Sequence, residues 1–176
     1  EDKEGDTPLL LAAFQGHTEI AQALINKGAD INKDNKKGNT PLLLATYHGH
    51  TEIAQALINK GAEIDKEDKE GNTPLLLAAF QGHPEIAQAL IDKGAKIDKE
   101  DKKGNTPLIL AAFQEHTEIA QALINKGADI NKENKEGNTP LLLAAYHGHT
   151  KIAQALIDKG AKIDKEDKEG NTPLIL

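Results

Sequence analysis

The chain of 176 residues contains no Cys, Ser, Arg, Val, Met or Trp. Without Cys there is no disulfide, no thiolate zinc ligand and no cysteine nucleophile, and the lack of Ser removes a second common nucleophile. All 21 basic residues are Lys, against 28 Asp and Glu, and the net charge is −7. That balance argues against a nucleic-acid partner, because such binding draws its affinity largely from basic side chains that neutralise phosphates. No window approaches the roughly 18–20 apolar residues of a membrane span, and no signal-peptide pattern opens the chain. Aromatic residues number only five.

What is present is a repeat. Thr-Pro-Leu begins at Thr7, Thr40, Thr73, Thr106, Thr139 and Thr172, a spacing of 33 residues each time without an insertion. With Gly5, Gly38, Gly71, Gly104, Gly137 and Gly170 as starts, the repeats are 5–37, 38–70, 71–103, 104–136 and 137–169, with a leader 1–4 and a partial unit 170–176. Nineteen of the 33 positions are identical in all five repeats. Self-similarity at this period signals a stacked array, not a globule with one centre, and we read residues 1–176 as a single array.

Each repeat reads as two short helices and a turn. Thr7 suits an N-cap, and Pro8 suits the first helical position, where a missing N–H costs nothing. The run Leu9 to Gln15 then ends at Gly16. It is apolar nearly all round, so this helix needs neighbours on several sides. A second helix is expected from about Thr18 to Lys27, with Glu19, Gln22 and Asn26 on a polar face and Ile20, Ala21, Leu24 and Ile25 on the other. Pro84 replaces Thr at the start of this helix in the third repeat and places His83 as its N-cap. Gly28 supplies positive φ after the last turn. The polar connection Ala29 to Lys37 carries one apolar residue, Ile31.

These features resemble the ankyrin repeat over essentially the whole chain. The matching residues are Gly-Asn-Thr-Pro-Leu (Gly38–Leu42), Leu-Ala-Ala (Leu77–Ala79), Gly-His (Gly16–His17) and Gly-Ala-Asp-Ile-Asn (Gly28–Asn32). The resemblance implies an all-α solenoid of helix-turn-helix repeats with hairpin-like turn tips. One departure is systematic: Leu10, Leu43, Leu76, Ile109, Leu142 and Ile175 stand where the family carries His after Thr-Pro-Leu. Apolar packing between repeats is expected there instead of side-chain hydrogen bonds. Both ends read as interrupted repeats, Glu1–Glu4 matching Glu67–Glu70 and Leu174-Ile175-Leu176 falling inside a helix. The expectation is a segment of a longer array, able to stack end to end on another molecule or on absent sequence.

Metal and catalytic readings fare poorly. Five of the seven His (His17, His50, His83, His116, His149) share one repeat position, and helices packed about 8–10 Å apart hold successive imidazoles too far from one another to share an ion. His48-x-His50 and His147-x-His149 each span a helix end. Asp30 to Asp34 resembles a calcium loop superficially, but Asn35 stands where its Gly is required and Pro41 where its final Glu is required. No nucleophile–base set and no phosphate-cradling glycine motif is present. Neither catalysis nor a cofactor is expected.

The aromatic residues Phe14, Tyr47, Phe80, Phe113 and Tyr146 all occupy one repeat position. Gln15, Gln81 and Gln114 follow Phe, whereas His48 and His147 follow Tyr. In the family these two positions line the concave face, beside the turn tips. The tips here are Lys36-Lys37-Gly38-Asn39, Lys69-Glu70-Gly71-Asn72, Lys102-Lys103-Gly104-Asn105 and Lys135-Glu136-Gly137-Asn138, which alternate in sign at their second residue. One reading is solvated mixed charge; the other is a partner with matching alternation, steered and registered by it.

The resemblance therefore implies a protein-interaction scaffold that takes a protein segment on its concave face and tips, with the five rings as anchors. A second reading is a spacer or spring in a long array, favoured by the near-identity of the repeats. A third is an engineered repeat scaffold, which the missing Arg, Val and Ser fit and the irregular choices Thr46 and Glu115 oppose. Rings each more than half exposed favour recognition; rings interlocked and dry favour the spacer.

Overall fold

A computed structural model describes residues 2–173. Glu1 and the final turn expected at Leu174-Ile175-Leu176 lie outside the described residues. Ten helices run in order: α1 (Pro8–Gln15), α2 (Thr18–Asn26), α3 (Pro41–Tyr47), α4 (Thr51–Asn59), α5 (Pro74–Gln81), α6 (Pro84–Asp92), α7 (Pro107–Phe113), α8 (Thr117–Asn125), α9 (Pro140–Tyr146) and α10 (Thr150–Asp158). No strand occurs among the described residues.

The Thr-Pro start works as the sequence implies. Thr7 is extended (ψ 163°), and its hydroxyl accepts from the Leu10 N–H at 3.2 Å. The same bond recurs at Thr40, Thr73, Thr106 and Thr139. Each satisfies an amide that a helix start leaves unpaired, a contribution of about 1 kcal/mol. α1 and α5 end on left-handed Gly16 and Gly82, whereas α3, α7 and α9 stop one residue earlier, at His48, Gln114 and His147. The second helices begin after His17, His50, His83, His116 and His149, none of which makes a side-chain cap bond. The capping reading of His83 therefore holds for its position and not for its imidazole.

Odd-numbered helices stack on one another in one layer and even-numbered helices in a second, and each odd helix packs on the even helix that follows it. Leu9, Leu42, Leu75, Leu108 and Leu141 are buried between the layers with Ala12, Ala45, Ala78, Ala111 and Ala144. Burial of such a leucine stabilises by roughly 1.5–3 kcal/mol, so helices too short to persist alone are held by their neighbours. Leu10, Leu43, Leu76, Ile109 and Leu142 are buried too, which is the apolar substitute for the family's histidine. Ile64, Ile97 and Ile130 in the connections are half-buried against the core.

Three polar ladders cross the junctions. At the tips, the Lys36, Lys69, Lys102, Lys135 and Lys168 amides donate to the carbonyls of Glu4, Lys37, Glu70, Lys103 and Glu136. Glycine makes this approach possible: a Cβ on Gly38 (φ 78°) would lie 3.1 Å from the Lys69 nitrogen. Earlier in the same connections, Asn32, Asp65, Asp98 and Asn131 accept from the Glu63, Lys96, Asp129 and Lys162 amides of the next repeat. Beside them run ion pairs Lys66–Asp34 (3.3 Å), Lys99–Glu67 (2.7 Å), Lys132–Glu100 (2.8 Å) and Lys165–Glu133 (2.6 Å).

Candidate groove between the rings and the turn tips

The aromatic position falls in the last turn of each odd helix, where the side chain emerges from the layer toward the tips. Phe14, Tyr47, Phe80, Phe113 and Tyr146 are exposed by 44, 47, 39, 40 and 66%. They are not dry, and only Tyr146 exceeds one half. No ring of this ladder stacks on another; among the described residues their ring contacts are with histidines.

Three hollows of about 300, 380 and 500 Å³ lie between rings and tips. The first joins Phe14 and Gln15 to Lys37 and Asn39 over Leu10 and Leu44. The second joins Tyr47 and Phe80 to Glu70, Asn72, Lys102, Lys103 and Asn105. The third joins Phe113, Tyr146 and His147 to Lys135, Glu136 and Asn138, with Lys168 and Glu169 of the next tip. Rings and tips thus border shared spaces floored by leucine. His48, Gln81, Gln114, Lys36 and Lys69 do not line these hollows.

Several tip groups are already engaged. The Lys36 ammonium donates to the Lys3 carbonyl, and the Asn138 amide donates to Glu136 at 3.2 Å. Asn105 donates to Asp101 and accepts from Asn134, both at 2.9 Å. The Asp68, Asp101 and Asp167 carboxylates each accept two backbone amides that close the tip. The Asn171 side-chain amide first, and then those backbone amides, hold the Asp167 carboxyl below its ordinary range.

The partners of the histidines were not legible in the sequence because they lie 34–37 residues away. His48 reaches back to Phe14 of the preceding repeat, edge to face at 4.6 Å between centroids, and His147 reaches Phe113 at 4.9 Å. The invariant histidine docks across the same junction. Nε2 of His50 lies 3.1 Å from the Phe14 carbonyl oxygen and that of His116 3.2 Å from the Phe80 oxygen. The ring seats on the preceding glycine, where a Cβ would come within 2.5 Å of His50 at Gly16 and of His83 at Gly49. Glu115 breaks this rule. It is the one non-glycine residue at positive φ (64°) among the described residues, and the ring that follows differs: Nδ1 of His149 contacts the Ala112 oxygen at 2.8 Å while Nε2 faces the Glu115 carboxylate at 4.0 Å. The Gly-His dipeptide was visible in the sequence; its use as a seat and plug between repeats was not.

Two layers of short helices in fixed register, with an open groove on one face, define a helical-repeat solenoid. Family profiles described as Ankyrin repeats (3 copies) match residues 1–68 and 60–134, and one described as Ankyrin repeats (many copies) matches 114–157. The chain belongs to the ankyrin repeat family, whose members are generally protein–protein interaction modules and typically non-enzymatic. A search of curated proteins found no match. No helix among the described residues is long and apolar enough to cross a membrane.

Proposed function

We propose that residues 1–176 act as one interaction array that takes an extended protein segment along the groove, without catalysis or cofactor. The observation that carries this is the alignment of five part-exposed rings, each bordering a hollow whose opposite wall is a turn tip. Rings of this kind serve as anchors because they bury large area at low entropic cost. Gln15, Gln81 and Gln114, with His48 and His147, flank them with directional polar groups. Lys37, Lys69, Lys102, Lys103 and Lys135 meet acidic groups of the partner, and Glu70 and Glu136 its basic groups, which sets register more than affinity.

The test is capture by the intact chain compared with a Tyr47→Ala, Phe80→Ala, Phe113→Ala variant. Loss of several kcal/mol of affinity with a smaller loss in folding supports the groove; equal capture by both proteins eliminates it. A second, compatible reading is head-to-tail stacking of copies. It is favoured by the flank of α1–α2, where Leu11 and Ile20 are 48 and 53% exposed while the equivalent Ile53, Ile86, Ile119 and Ile152 are buried. Light scattering across protein concentration measures it, and a constant monomer mass refutes it.

A further inference from the structure

We infer that Tyr47, His48 and His50, closed over Phe14, form a proton-responsive recognition patch: neutral imidazoles knit the rings of two repeats into one apolar surface, and protonation disperses it. The binding consequence rests on the groove reading above; the response of the patch itself does not.

The geometry is a contiguous cluster. The His48 ring meets Phe14 of α1 at 4.6 Å and Tyr47 at 5.0 Å, both at 77° between planes. Its face stacks on His50 at 5.9 Å and 22°. His50 is pinned by its Nε2 contact with the Phe14 carbonyl and by its seat on Gly16. His48 is the unpinned member, its side chain held by ring contacts without a hydrogen bond or ion pair among the described residues. From α1 it faces Phe14, from its own repeat Tyr47 and His50, and from the next repeat His83, which is seated on Gly49, acts on its charge. No carboxylate is paired with it among the described residues. Partial burial first, then His50 and His83, hold its pKa below the ordinary imidazole value. His48 is solvent-exposed, and a proton placed there faces the stacked His50 ring with no carboxylate paired to it among the described residues, so the stack opens and the ring turns from Phe14 into the adjoining water.

Three repeats on, Phe113, Tyr146, His147 and His149 repeat the arrangement, with His147 and His149 stacked at 5.5 Å and 21°. There the Glu115 carboxylate lies 4.0 Å from His149 Nε2 and offers an imidazolium a partner. The second cluster differs in countercharge and in the nitrogen by which its inner histidine docks, Nδ1 in place of Nε2.

The chain has no Trp, and its tyrosines are Tyr47 and Tyr146, one per cluster. Tyr146→Phe leaves Tyr47 as the single tyrosine emitter. In that background, Tyr47 emission and the NMR signals of the Phe14 and Tyr47 rings are followed from about pH 7.5 to about pH 5, across the imidazole range. They should move with one midpoint, that of the His48 imidazole, and should stay flat in His48→Gln. Gln occupies this position in three other repeats (Gln15, Gln81, Gln114), and circular dichroism checks that the fold is kept. Rings that stay fixed while His48 titrates, or that titrate unchanged in His48→Gln, overturn the proposal. If the rings respond but a captured partner is held equally at both ends of the range, the placement of the partner on this patch is overturned, and the proton response stands.

Discussion

Thr46 occupies a position that is Ala13, Ala79, Ala112 and Ala145 in the other repeats, and its hydroxyl lies fully buried with no hydrogen-bond partner. An orphaned buried hydroxyl costs about 1–3 kcal/mol, so Thr46→Val, which keeps the shape and removes the oxygen, should raise stability by about 1 kcal/mol in denaturant unfolding. Glu115 is the second irregular residue. Its left-handed backbone (φ 64°) is one that side chains resist, and the glycine found at this position in the other four repeats resists it least. Glu115→Gly should therefore stabilise by about 1 kcal/mol. It should also return His149 to the seat used by its counterparts, which a shift of the His149 ring signals would report. The reverse change, Gly82→Ala, should destabilise, since a Cβ there would fall 2.4 Å from the His116 ring.

Among the elements, the caps and helix limits were legible in the sequence because each rests on neighbours in the chain. Thr7 and Pro8 start α1, Gly16 ends it, and the second helix closes at Asn26, one residue short of the expected Lys27, which is its C-cap. The junctions were not legible. They depend on contacts one repeat away, such as Lys99 on Glu67 or His50 on Gly16, which a list of residue types does not rank. The two kinds of junction also answer pH differently. Pairing with Glu67, Glu100 and Glu133 raises the pKa values of Lys99, Lys132 and Lys165, and the Lys66 contact lowers that of Asp34. The lysine contribution is lost only as pH rises above the ordinary lysine range, and the Asp34 contribution only as pH falls below the ordinary carboxylate range. At neutral pH these exposed pairs are constant and weak, so Lys99→Gln should hardly move the thermal midpoint. His48 behaves otherwise. Its folded pKa is depressed from 6.5, so the unfolded chain binds the proton more readily and stability falls as pH drops through that value. His48→Gln should flatten this acid loss, measured as the unfolding midpoint against pH.

For the whole molecule, a stack in which each repeat touches only its neighbours has a stability that sums repeat by repeat and junction by junction. The ladders make one junction chemically interchangeable with the next. Removing 71–103 would bring Glu67 to Lys132, the Asp65 carboxylate to the Asp129 amide, the Glu70 carbonyl to the Lys135 amide and His116 to Gly49, each a pairing of the kind already present. Removing 104–136 would equally bring Glu100 to Lys165 and seat His149 on Gly82, but it would also delete Glu115. Both shortened chains should keep cooperative helical unfolding, with helical signal reduced in proportion. They lose the same number of helices and junctions, so their stabilities should differ mainly by the backbone strain at Glu115, about 1 kcal/mol in favour of the chain lacking 104–136. Paired denaturation of the two deletions measures that difference directly. Equal stabilities would mean that Glu115 rests in its turn without cost, and a collapse of either chain would mean that the junctions are not interchangeable and that the array cannot be treated as a sum of nearest neighbours.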